Sequence, residues 1–433
     1  MGYDSLPVAE FNLPIDQRIP ETLQQKLSRE LTELQKVSGG RKFFERGVNI
    51  GVIGLGNCGS KIAETIALDE RIPMKELYLA STDPDKREQI MSRMTEYNLI
   101  RGADGIERIS SNSTDALGRI VNQTNIAIIA AGEPGGKDRN DAIQKNIPII
   151  KDIATQFRGY TGSVIVLTNP VDIMTHLFRE YSDLDPAQVV GSSHVDTLRF
   201  RHYLNRFYKV NHRDKFRGLS NVFVIGPHDH MMIPLFSLAE DAYWNNITRV
   251  SEQDLPRPPE PPKIWEESKN LLRRDVIDYP NELAFHKQTT AISTAKAMQN
   301  IVHAMIYGGV VSVSTFGKFG DFAQGMIPYV KNVIEPNDPG LFMGYPVQFV
   351  EGKAQIVPLP LEEDYDTSRA YGHFVKDGGD PLKFKPDAND GPFAVLNRYL
   401  YLANKLTDRT TPEVAARFRG IQARQKAALP EVA

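Results

Sequence analysis

The sequence predicts an α/β fold, a doubly wound parallel sheet followed by a second domain of α+β type. Three observations carry that expectation. An apolar, β-branched run at Val48, Ile50, Val52 and Ile53 enters Gly54, Gly56 and Gly59 and then a helical stretch, SKIAETIALDE. Short apolar runs go on alternating with helical patterns up to residue 168, each run ending in glycine, polar or charged residues. Beyond about residue 171 the alternation stops, and helices, a proline-rich run and a hairpin pattern replace it.

The glycine spacing is that of a Rossmann dinucleotide-binding unit. Gly54 permits the tight turn out of the strand, Gly56 lets a pyrophosphate approach the backbone, and Gly59 lets helix and strand pack closely. A second strand is expected over 76–82, a further one over 125–131 and another over 162–168. The helix between the last two shows Ile143, Ile147, Ile150, Ile153, Ala154 and Phe157 on one face, and Pro148 inside it is expected to kink or split it. In the second half, SSHVDTLRFRHYL reads as a helix with Asp196 and Arg199 on one face, and 222–226 as a strand. Residues 254–265 are too proline-rich for a helix and read as an exposed insertion. A long helix is expected over 281–307, buried along Ile292, Ala295, Met298, Ile301, Val302 and Met305, and an antiparallel hairpin over 341–359. Ahead of the first strand, Leu23, Leu27, Leu31 and Leu34 mark a helix over 20–37. The expected division is an N-terminal helical extension (1–47), a nucleotide-binding domain (48–190), a substrate domain (191–365) and a C-terminal extension (366–433).

Composition narrows the function classes. Of the 433 residues, 41% are hydrophobic and 24% charged, and the net charge of −3 gives no drive toward nucleic acid or an anionic membrane. No apolar run approaches the ~18 residues of a membrane span. The first residues lack the basic and apolar regions of a secretory signal, and the single cysteine, Cys58, rules out an internal disulfide. A reducing cytoplasm is expected. Cys58 stands at a helix start, either as a thiol of lowered pKa or as a small buried spacer.

The end of the second strand faces the adenine ribose in such a unit, where an acid binds the 2′-hydroxyl and disfavours a 2′-phosphate. Asp83 suits that role, yet the apolar register puts Ser81 at the usual acid position, and Ser81 with Lys86 or Arg87 suits a 2′-phosphate. NAD is the expected cofactor, with NADP left open.

Four polar features fall where a substrate would meet the nicotinamide. These are Arg139 in a glycine-rich loop after the apparent third parallel strand, Asn169 at the end of the next, the pair Asp196 and Arg199, and His228 after a strand in the second half. Five motifs occur in order: GVIGLGNCGS, AGEPGGKDRNDAIQKN, LTNPVDIMTH, GSSHVDTLRFR and VIGPHDHMMIP. On these motifs the chain resembles the lactate/malate dehydrogenase family over 48–359. The resemblance implies hydride transfer between a nicotinamide and a 2-hydroxy or 2-oxo acid. It implies His228 as proton donor, Asp196 as the carboxylate orienting it, Arg199 as the clamp on the substrate carboxylate, Arg139 as the loop cation polarising the carbonyl, and Asn169 as a hydrogen-bond partner of cofactor and substrate. Gly54, Gly56, Asn57, Cys58, Gly59, Ser81, Asp83, Ala131, Gly132, Asn146 and Asn169 are the residues expected at the cofactor, with no metal. A homodimer or homotetramer is implied, without nucleic-acid or membrane partners.

Departures from the family pattern point to an unusual substrate. Pro227 precedes His228, and Asp229 and His230 follow it, where the family places Glu before and Gly-Asp after. The stretch from Gly132 to Arg139 is short and offers Pro134, Gly135 and Gly136 where malate enzymes carry a second arginine, so plain malate is not expected. Polar residues at 288–290 suggest a polar substrate tail. Two other readings stay open: a non-catalytic dinucleotide-binding protein, and an NAD-dependent glycosidase, which needs a metal-ligating cysteine that Cys58 is badly placed to supply.

Overall fold

Six parallel strands build the first half of the protein around the glycine turn. The computed structural model describes Arg29 and residues 47–101, 107–110, 113–133, 139–211, 222–226, 228, 233–235, 290–317 and 341–357. The parallel strands are β1 (Val48–Ile53), β2 (Met74–Ala80), β3 (Glu107–Ser110), β4 (Ile126–Ile129), β5 (Ser163–Val166) and β6 (Val189–Gly191). They lie in the order β3-β2-β1-β4-β5-β6, which reverses direction between β1 and β4. Ligands of such sheets bind beyond the carboxyl ends of the strands at that reversal.

Period-two alternation explains why both faces are covered. Ile126 and Ile128 of β4 join the core cluster on one side, with Ile62 and Ile66 of helix α1 (Asn57–Ala67). Ala127 and Ile129 join the cluster on the other side, with Ile150 and Phe157 from the α4 segment and Phe178 of α5, where α4 is Arg139–Gln156 and α5 is Val171–Ser182. Helices α2 (Pro84–Arg101) and α3 (Ser113–Gln123) complete this half.

The second half contributes α6 (His194–Asn211), the short strands β7 (Val224–Ile225) and β8 (Ile233–Pro234), helix α7 (Ala291–Tyr307), and strands β9 (Val310–Gly317), β10 (Leu341–Val350) and β11 (Lys353–Ile356). The expected hairpin is present: β10 pairs antiparallel with β11, and on its other side with β9. Strand β9 in turn joins β6 antiparallel through Gly191 and Ser314. The sheet therefore runs through the boundary expected at 190 as one nine-stranded surface.

A polar knot ties the two halves on the far side. Asp69, in the turn after α1, accepts hydrogen bonds from Nε of Arg71 (2.9 Å) and, from α7, from Nε2 of Gln299 (2.5 Å) and Nε2 of His303 (2.6 Å). Burial raises the pKa of this carboxyl group, but the Arg71 and His303 contacts outweigh it and bring it down to about 2.

Several expectations are corrected. Strand β3 went unforeseen because Glu107, Arg108, Ile109 and Ser110 hold one apolar residue at the sheet's edge. Strand β9 was likewise missed. Pro148 does not split α4, which is continuous through it, and Pro148 is exposed, so its ring takes no place in the core packing. Ile292 is not part of the buried stripe of α7; it is the second residue of the helix and 74% exposed. Ala295, Met298, Ile301, Val302 and Met305 are buried as expected. Strand ends shift by a residue or more, the strand expected over 125–131 being Ile126–Ile129. Of the helix expected over 20–37 only Arg29 is described, and it is helical. The rest of the N-terminal extension up to residue 46, the proline-rich insertion, residues 281–289 and the C-terminal extension lie outside the described residues.

Candidate active site

At the end of β1 the backbone itself forms the first part of the site. Gly54 has φ +91°, and its N–H donates to the carbonyl of Ala80 at 2.8 Å, locking the turn against the end of β2. A Cβ on Gly59 would stand 1.8 Å from the Gly54 carbonyl oxygen, so only glycine lets α1 approach this strand. At Gly56 nothing lies within 4 Å of where a Cβ would be. That residue is the N-cap of α1 and supplies no side-chain cap, and the first turn holds no acid. Uncapped N–H groups, an open approach and no competing negative charge fit a dinucleotide pyrophosphate. Burial pushes the Cys58 thiol up, which corrects the activated-thiol reading in favour of the spacer. Asn57 is exposed beside it.

The other cofactor-side residues sit at the neighbouring strand ends. Ser81 follows β2 directly, and its Oγ accepts the N–H of Asp83 at 3.1 Å. Asp83 caps α2 by accepting the N–H of Lys86 at 3.2 Å. Ala131 and Gly132 follow β4, with the hydroxyl of Thr168 donating to the Ala131 carbonyl at 2.6 Å. Asn146 is buried, and its amide is committed to backbone: it donates to the carbonyls of Glu133 (3.2 Å) and Asn169 (2.9 Å) and accepts the N–H of Glu133 (2.7 Å). One side chain thus holds the loops after β4 and β5 together.

The polar cluster of the second half forms at the start of α6. Asp196 and Arg199 are not the surface pair that helical spacing alone suggests; both are buried, 3.2 Å apart through Nη1 and Oδ1. The other oxygen of Asp196 lies 2.5 Å from Nδ1 of His228. His228 is brought there by β7, whose Val224 N–H donates to the hydroxyl of Thr197 on α6 at 3.0 Å, and by Gly226, which exchanges 2.9 Å hydrogen bonds with Gly344 of β10. The backbone N–H of His228 donates to Oδ2 of Asp172 at 2.8 Å. Burial disfavours the imidazolium, yet Asp196, with Asp172 behind it, outweighs burial and the opposing charge of Arg199, so the His228 pKa is raised.

Asp172 is the residue that motif reading missed. It is the acid of TNPVD, placed in the first turn of α5, and the signal available was an acid directly beyond a strand end. Asn169 sits ahead of it, exposed, with a cis peptide to Pro170. The structure brings Asp172, Asp196, Arg199 and His228 together. Arg139 is the first residue of α4 rather than a loop residue, and 134–138 lie outside the described residues, as does the side chain of Arg139.

Comparison with known proteins adds a second line of observation. Residues 48–191 match the family profile described as lactate/malate dehydrogenase, NAD binding domain. A malate dehydrogenase of Methanothermobacter marburgensis is 30% identical over 339 residues, covering 73% of this chain and 91% of that protein. The chain belongs to the lactate/malate dehydrogenase family. The malate dehydrogenase of Methanothermobacter thermautotrophicus is 32% identical over 198 residues, which cover 57% of its length. Among solved structures, the lactate dehydrogenase of Cryptosporidium parvum, complexed with lactic acid and nicotinamide adenine dinucleotide, superposes with a TM-score of 0.55 at 21% identity, covering 78% of this chain and 99% of that one. Membership makes this chain an NAD-dependent hydroxyacid dehydrogenase at the level of the family, and NAD the cofactor of residues 48–191. No helix among the described residues is long and apolar enough to cross a membrane.

Proposed function

We propose that the protein oxidises a 2-hydroxy acid, or reduces the matching 2-oxo acid, with His228 as the proton-exchanging group. The observation that carries this reading is the buried contact of His228 with Asp196, itself paired to Arg199. Bound NAD supplies the hydride chemistry; the chain supplies everything else. Asp196 holds Nδ1 of His228, which fixes the tautomer and leaves Nε2 to give or take the substrate proton. Arg199 has one Nη on Asp196 and offers further donors of its planar fork to a substrate carboxylate. Asp172 is a positioning residue: by holding the His228 backbone it fixes where the ring stands. Arg139 polarises the substrate carbonyl from the start of α4, and Asn169, beyond the end of β5, hydrogen-bonds cofactor and substrate oxygens. The lactate complex of the Cryptosporidium relative supports a small hydroxy acid, and Pro134, Gly135 and Gly136 support one other than plain malate. The reading includes a cytoplasmic homo-oligomer, supported by the single cysteine and by family resemblance.

The test is a pair of variants. His228→Ala and Arg199→Leu are each expected to lower turnover by about 10³-fold or more while NADH binding, read by fluorescence, stays within about threefold of the parent. Loss of NADH binding in both variants, or full turnover in either, removes these roles.

A further inference from the structure

The strand that leads to His228 is two residues long, and a strand that short does not hold itself in place. Three tethers fix it. The hydroxyl of Thr197 on α6 accepts the N–H of Val224 at 3.0 Å, and the hydroxyl of Ser312 on β9 donates to the Val224 carbonyl at 2.7 Å. The third tether is backbone to backbone: Gly226, just beyond β7, exchanges two 2.9 Å hydrogen bonds with Gly344 of β10. Of the three it lies nearest to His228 along the chain.

The two glycines of that bridge are needed for different reasons. Gly226 has φ +86°, the left-handed region that glycine enters without strain. Gly344 has no positive φ and stands inside a regular antiparallel ladder, opposite Ser314 of β9. What its place requires is closeness. A Cβ there would stand 2.6 Å from the Gly226 carbonyl oxygen and 3.4 Å from the Ser193 hydroxyl. The first distance is well inside contact, and the atom met is backbone. Strand β10 is poorly able to yield, since it is paired with β9 along Leu341–Gln348 and with β11 along Val347–Val350. Strand β7 pairs with β8 at Val224 and Ile225 alone. A side chain at position 344 therefore displaces Gly226, and with it the ring two residues on.

We propose that Gly344 is a positioning residue for His228, acting through Gly226: its missing side chain lets the backbone that leads to the imidazole dock on β10. The ring then stands with Nδ1 2.5 Å from Asp196, and a displacement of about 1 Å would stretch that contact past ordinary hydrogen-bond length. Among the described residues, the charged groups acting on the ring are Asp196 and Arg199 from α6 and Asp172 from α5. The two acids keep its proton affinity high against burial and Arg199, so losing the Asp196 contact lowers it. The proposal rests on His228 as the proton-exchanging group.

The experiment titrates the ring without any substrate. Diethyl pyrocarbonate acylates the neutral imidazole, so the pH dependence of His228 labelling in the full chain, read by tandem mass spectrometry, reports its proton affinity. In Gly344→Ala the labelling midpoint is expected at lower pH than in wild type. Turnover, read with NADH on a panel of 2-oxo acids beginning with pyruvate, is expected to fall by about 30-fold or more, while NADH binding, read by fluorescence, stays within about threefold. A variant that is merely destabilised loses active material with the midpoint in place, and that result overturns the proposal. Ser312→Ala loosens β7 without adding bulk, and is expected to move the midpoint the same way and to lower turnover by about threefold. If Gly344→Ala does not fold, Ser312→Ala decides: a lowered midpoint supports the proposal and an unmoved one overturns it. Full turnover by His228→Ala removes the reading of His228 and leaves the labelling to decide what places the ring.

Discussion

The two halves of the site solve the problem of holding a reacting pair in opposite ways. The cofactor side is made of backbone: Gly54, Gly56 and Gly59 create a surface by the atoms they lack, and steric closeness to Ala131 and to their own carbonyls sets its shape. The proposed catalytic side is made of charge, with Asp172, Asp196, Arg199 and His228 drawn from three distant segments into a buried cluster. Space governs the first and electrostatics the second. The two should therefore fail differently.

The largest contrast lies within the glycine turn. Gly59→Ala puts a methyl group 1.8 Å from a carbonyl oxygen that cannot yield, so a stability loss of about 3 kcal/mol or more, or failure to fold, is expected in thermal or urea unfolding. Gly56→Ala meets only open space, so stability should stay within about 1 kcal/mol while NADH affinity falls by about tenfold or more. Equal effects of the two would break the account of a surface shaped by absent atoms.

On the charged side, Asp196→Asn should lower turnover by about 10²-fold or more with stability changed far less. The sign of its pH effect follows from the raised His228 pKa. Carbonyl reduction needs the imidazolium, which in wild type persists as pH rises past the ordinary histidine value and is lost above the raised one. Removing the Asp196 charge moves that loss to lower pH; a pH–rate profile that stays in place would show that Asp196 does not act on the ring.

A smaller effect separates position from charge at Asp172. Asp172→Asn keeps an oxygen for the His228 N–H, whereas Asp172→Ala leaves that buried donor unmet at a cost of about 1–3 kcal/mol. Turnover should follow Asp > Asn > Ala. The mildest change is Asp69→Asn, which weakens the knot between α1 and α7 by about 1 kcal/mol. Because the Asp69 carboxyl titrates near 2, below its unfolded value, its contribution is present above about pH 4 and is lost as pH falls toward 2. Acid unfolding of the Asp69→Asn variant should therefore depend less steeply on pH than that of wild type.

What the sequence made legible follows the same division. The turn at Gly54 could be read because strand, glycine spacing and helix are contiguous, and every constraint acts within a few residues. Asp196 and Arg199 were legible as a pair for the same reason, yet their burial was not, because it depends on β7, β9 and β10 arriving from elsewhere in the chain. Asp172 escaped because its partner is 56 residues away and contributes a backbone N–H, which no side-chain pattern marks. Strand β3 escaped because an edge needs little apolar surface, and Ile292 misled because helical spacing near a helix end says nothing about whether a neighbour reaches that far.

The junction of β6 with β9 has a mechanical consequence. Gly191 and Ser314 splice the parallel and antiparallel strands into one hydrogen-bonded slab, which joins the strand that carries the glycine turn to the strand that braces His228. Opening and shutting of the cleft by rotation of rigid halves would have to shear a hydrogen-bonded sheet. The distance between the glycine turn and the His228 backbone is thus set by the sheet itself, when it forms.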